Sequence, residues 1–158
     1  MVNALGFMSI IEITGDGFVY DICADVTRWF LNKYYPRHKL HVEIKHHQLD
    51  DYRDFGYCDV VGKRYRPRHF LIELKPFMSE KKYIKILFHE LTHMGQFIDG
   101  YLKQKDGKLI YFNQPASDYD YEHQPHEIVA REQEENLYAL YQLEKRTPTG
   151  QKAPRVLL

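Results

Sequence analysis

Within this 158-residue chain, the segment His89-Glu90-Leu91-Thr92-His93 has the residue types and spacing to do chemistry. Two histidines four positions apart lie about 40° apart around a helix of about 3.6 residues per turn, so both imidazoles can reach one metal ion. Glu90 then sits beside an open coordination position. An ion held this way lowers the pKa of its water, and a neighbouring carboxylate can take the proton, which is metal-assisted amide hydrolysis. With nine histidines in the chain, random order would produce the pattern only about 0.03 times.

The flanking residues predict a helix that could hold the pair. Ser79 can cap it with Glu80 in its first turn, and Asp99-Gly100 supplies the stop. Between them Ile84, Leu87, Leu91, Met94 and Ile98 form a stripe. It centres about 160° from the midpoint of the two histidines, so one face packs while the other looks into a cleft.

A catalytic zinc site takes three protein ligands and a water, so a third donor must come from downstream. Asp118, Asp120, His123, His126 and Glu127 are the candidates. Pro125 opens a further helix, running to about Lys145 with Ala130, Leu137, Tyr138 and Tyr141 near one face. Glu127 is favoured because a helix holds a ligand more rigidly than a loop does, although a first-turn Glu also complements the helix dipole with no metal present. The oxyanion formed during hydrolysis needs a donor as well, and Tyr119, Tyr121, His123 and His126 all lie in the entry to that helix.

Upstream, Phe18, Ile22, Val26, Trp29 and Phe30 recur at helical spacing after Gly15-Asp16-Gly17 until Pro36, predicting a first helix with Cys23 as a core residue. Leu40, Val42 and Ile44 alternate with polar residues as a strand does, and Tyr57 to Val61 is a second, β-branched candidate. Phe70, Ile72 and Leu74 mark a third, stopped by Pro76. Gly62-Lys63-Arg64-Tyr65-Arg66-Pro67-Arg68 reads as a hairpin loop between the last two, Gly107 to Phe112 as a short hairpin or extended segment, and Asn113 to Gln124 as a loop. The expectation is an α+β fold: an N-terminal helix, a small three- to four-stranded sheet, the metal helix and a C-terminal helix supplying the third ligand. It forms one domain over residues 1–146, with a flexible tail over 147–158.

His89-Glu90-Leu91-Thr92-His93-Met94-Gly95-Gln96, followed by Tyr121-Glu122-His123-Gln124-Pro125-His126-Glu127-Ile128-Val129-Ala130, resembles the small phage-type zinc metallopeptidases. The layout is similar to the ImmA/IrrE-type and SprT-like minimal zincins. The resemblance implies a gluzincin-like Zn2+ site with Glu127 as third ligand to His89 and His93, and Glu90 as general base. It also implies a peptide or protein substrate laid along an edge strand, for which Phe70 to Lys75 is the candidate; the alternative is an interior strand with no substrate role. Two residues depart from the pattern. His126 stands where Trp is usual and could compete for the metal, and Val129 stands where a supporting Glu is usual.

Twenty-two basic residues balance 22 acidic ones, so no global field favours nucleic acid or a membrane surface, and the basic loop 62–68 is the only local candidate for DNA. Apolar content of 44% excludes a disordered chain. No signal peptide or transmembrane run is read, and two cysteines predict a reducing, cytoplasmic setting, in a host cell or virion if the chain is phage-encoded. Peptide deformylase shares the histidine pattern, but the Cys ligand expected just before its helix is missing, Cys58 lying far upstream. Two further readings compete: a protease coupled to DNA, and a non-catalytic phage structural or interaction protein that keeps zinc for stability, whose site would be closed by a fourth protein ligand.

Overall fold

A computed structural model describes residues 9–50 and 54–146, so the predicted tail over 147–158 lies outside the described residues. In chain order the elements are β1 (Ile10–Gly15), α1 (Tyr20–Tyr34), β2 (His41–His46), β3 (Gly56–Val60), β4 (His69–Leu74), α2 (Glu80–Ile98), β5 (Leu102–Lys105), β6 (Lys108–Tyr111), β7 (Gln114–Pro115) and α3 (Pro125–Arg146). Single 3-10 turns at Ala116–Asp118 and Tyr121–His123 interrupt the run into α3. The fold is α+β, with three helices and two small sheets among the described residues.

The larger sheet has the order β1-β2-β4-β3, parallel across β1, β2 and β4, with β3 antiparallel at the end. Alternation decides its faces. Val42, Ile44, Phe70, Ile72 and Leu74 are fully buried, while His41, Glu43, His69 and Leu71 between them remain partly open. The helices cover the buried side, where Phe97 of α2 tilts against Phe70 at 6.5 Å. Ile84, Leu87, Leu91, Met94 and Ile98 all enter this core, as their spacing predicts. Ser79 caps α2, its hydroxyl accepting from the Lys82 amide.

β1 was not foreseen as a strand. It is an edge strand whose Ile11 and Ile13 are only half buried, so its inward face gives a weak signal. Gly15 ends it at φ 105°, where an added Cβ would lie 2.2 Å from the His46 carbonyl oxygen; only glycine fits. Of the two readings of Phe70 to Lys75, the interior strand is the one found and the edge strand is corrected: β4 is hydrogen-bonded on both sides, and β3 occupies the edge. The Gly107 to Phe112 segment belongs to a three-stranded sheet, β5-β6-β7, hinged at Asp106-Gly107.

α3 lies along α2, burying Ala130, Leu137 and Tyr141. Its far end is tied to α1: Trp29 and Lys33 donate to Glu144, and Tyr141 and Lys145 donate to Asp25. Lys85 of α2 meets Glu135 at 2.7 Å.

Candidate metal centre

The contact between α2 and the start of α3 brings His89, His93 and Glu127 together. Glu127 Oε2 lies 3.0 Å from His89 Nε2, Glu127 Oε1 lies 3.1 Å from His93 Nε2, and the two Nε2 atoms are 3.2 Å apart. A tetrahedral ion about 2.0–2.1 Å from each donor sets the donors about 3.3 Å apart. The Nε2 pair is already at that spacing, and one donor atom from each of the three residues lies within 4.8 Å of the others, so the set can close on a zinc-sized ion. All three residues are largely buried.

The outward ring nitrogens are also engaged, which fixes which nitrogen faces inward. His89 Nδ1 donates to Glu134 Oε2 at 2.9 Å, and His93 Nδ1 donates to Gln96 Oε1 at 2.9 Å. Gln96 Nε2 in turn donates to the His126 carbonyl at 3.1 Å, tying the first turn of α3 to α2. With Nδ1 donating outward, each Nε2 faces the shared position, where an ion would replace the proton that the Glu127 carboxylate otherwise favours there.

Burial disfavours charge on His89, but hydrogen bonds to Glu127 and Glu134 outweigh it and raise the imidazole to about 10. Burial likewise works against ionised Glu127, yet the two imidazoles hold its carboxyl well below the ordinary range. Glu90 is buried, and this desolvation pushes it up to about 7 although His93 and His89 pull it down. Gly56 of β3 makes the room it needs: an added Cβ there would stand 3.1 Å from Glu90 Cγ and 3.1 Å from the Glu73 carbonyl.

Glu90, His93 and Glu127 lie in a cleft of about 770 Å³, between β3 on one side and Leu102, Gln104 and Leu109 of the smaller sheet on the other. Tyr121 and His126 line it too, but Tyr119 and His123 do not; both are exposed, and His123 faces Asp120 at 3.8 Å. Asp118 is engaged by Gln114 at 2.6 Å. His126 is buried with its Nε2 3.8 Å from Glu127 Oε1, and its Nδ1 has no partner among the described residues. Burial, aided by His93, holds it down to about 4, so it is neutral. Cys58 borders the cleft, and burial, with Glu90 and Asp59, pushes its thiol well up, which disfavours the thiolate a metal ligand must become.

Sequence reasoning missed Glu134 and Gln96. Both had a signal: Glu134 is two helical turns beyond Glu127 and Gln96 one turn beyond His93, each on the face of its predecessor. Glu134 thus gives His89 a carboxylate partner, whereas Val129, where the resemblance would place one, has none to offer. No family model, curated protein or solved structure matches the chain. Among the described residues no helix is long and apolar enough to cross a membrane.

Proposed function

We propose that the chain is a zinc-dependent metallopeptidase of minimal, gluzincin-like layout, acting on a peptide or protein. The carrying observation is the cluster of His89, His93 and Glu127, with each Nε2 3.0–3.1 Å from one Glu127 oxygen and 3.2 Å from the other Nε2, both Nδ1 atoms anchored and Glu90 buried beside them. Zinc bound by His89, His93 and Glu127 would supply an activated water and polarise the scissile carbonyl. Glu90 takes the water's proton and returns it to the leaving amine, a task suited to a carboxyl raised toward neutrality. Tyr121 and His126, which line the cleft, are the candidate hydrogen-bond donors to a developing oxyanion. β3, an edge strand bordering the cleft, takes the substrate-strand role first expected of Phe70 to Lys75.

The test is metal analysis and peptide hydrolysis on wild type, Glu127→Ala and Glu90→Gln. Wild type should hold zinc and cleave, Glu127→Ala should lose the metal at this centre, and Glu90→Gln should keep it while losing activity. Full metal retention by Glu127→Ala would reject the third ligand. A non-catalytic zinc site is favoured only by the nearness of His126 to Glu127. If His126 binds as a fourth ligand, the open position closes and Glu90 has no role. The DNA-coupled reading gains nothing, since no residue of loop 62–68 lines the cleft.

A further inference from the structure

We propose that the outward face of the four-stranded sheet carries a second divalent-cation site, built from His41, Glu43 and His69 with Glu12 at its margin, for an imidazole-preferring first-row ion. The residues gather there by strand geometry. Val42, Ile44, Phe70 and Ile72 turn into the core, so His41, Glu43 and His69 turn away from it. The parallel register sets His41 opposite His69 and Glu12 opposite Glu43. The two imidazoles stack at 4.0 Å with planes 6° apart, and each directs its Nε2 at a carboxylate further along the neighbouring strand. His69 Nε2 meets Glu43 Oε2 at 2.7 Å, and His41 Nε2 meets Glu12 Oε2 at 3.0 Å.

One donor atom from each of His41, Glu43 and His69 lies within 4.8 Å of the others. Ligation asks for about 3.3 Å, a closing of roughly 1–1.5 Å. Rotation of the side chains supplies this, because they retain 33%, 27% and 34% of their exposure. A bound cation would also relieve the side-by-side carboxylates of Glu12 and Glu43, since like charges opposite one another across strands are destabilising. Two imidazoles and one or two carboxylates select Zn2+, Ni2+ or Cu2+ over Mg2+ or Ca2+. The helices cover the other face, so the sheet itself separates this site from the His89 centre.

Titration of the chelator-stripped full chain with Zn2+ or Ni2+ by calorimetry tests the site. Wild type should take up one equivalent more than His41→Gln/His69→Gln, and Glu43→Gln should weaken that equivalent by roughly tenfold or more. Glu127→Ala, which damages the other centre, should retain it, and Zn2+ added to that variant should shift the His41 and His69 imidazole resonances. Unchanged thermal melting without metal would show the variants folded, as expected for outward-facing residues. Equal uptake and affinity in wild type and His41→Gln/His69→Gln, or unmoved imidazole resonances in Glu127→Ala, would overturn the proposal. Neither result depends on peptidase activity.

Discussion

Glu134 of α3 accepts a hydrogen bond from Nδ1 of His89 on α2 at 2.9 Å, and this crossing contact sets the tautomer of the candidate ligand. Glu134→Ala should cost about 10–100-fold in zinc affinity, measured by competition with a chromogenic chelator. Glu134→Gln, which keeps an acceptor oxygen, should lose less. Equal affinity in all three proteins would show that the contact does not support the metal.

Glu90→Gln keeps the size of the side chain and removes its basicity. Peptide hydrolysis should fall by about 10²–10⁴-fold while zinc content stays at the wild-type level. Activity within twofold of wild type would remove Glu90 from the reaction.

Gly56→Ala puts a methyl group between β4 and Glu90, where the Leu74 side chain stands at 3.0 Å and the Glu73 carbonyl and Glu90 Cγ at 3.1 Å. We expect a stability loss of about 1–3 kcal/mol by urea denaturation and a larger fractional loss of kcat than of zinc affinity, because the displaced group is the proposed base. A kcat equal to wild type would mean that Glu90 has slack here.

His46 gives the fold a pH dependence remote from the metal. Its ring stacks on Phe18 at 3.5 Å, donates from Nδ1 to the Thr14 carbonyl and accepts from the Tyr83 hydroxyl at Nε2. Burial holds it below the ordinary histidine value, only partly opposed by Thr14. The unfolded chain therefore takes up this proton near pH 6.5, before the folded protein does. The contribution to stability is complete above that pH and is lost as pH falls through the folded value. Urea denaturation between pH 7.5 and pH 4.5 should show a shallower acid slope in His46→Gln than in wild type; identical slopes would contradict it.

The metal helix was legible because two independent patterns, the apolar stripe and the histidine pair, fall on opposite faces of one segment. Strand alternation in β2 and β4 tells which residues face the core but not which strand lies beside which, so edge and interior positions for β4 stay open and the topology decides for the interior. Neighbours are set by chain crossings, and the local pattern does not record those. β1, β5 and β7 escaped for a related reason, although Gly107 to Phe112 reads as extended and holds β6: their strands are short or half covered and leave few apolar residues to count. Spacing puts Glu134 on the face of Glu127, but its bond to His89 is visible only with α3 known to run beside α2.

Glu127 sits at one end of α3, while Asp25, Trp29 and Lys33 grip Tyr141, Glu144 and Lys145 at the other, about 25 Å away along a rigid rod. α3 is thus fastened to α1 at its tail and to α2 along its length, with Glu127 at its head. Substitutions on α1 that loosen the tail should therefore be felt at the proposed centre, as a change in metal affinity, without touching any residue around it.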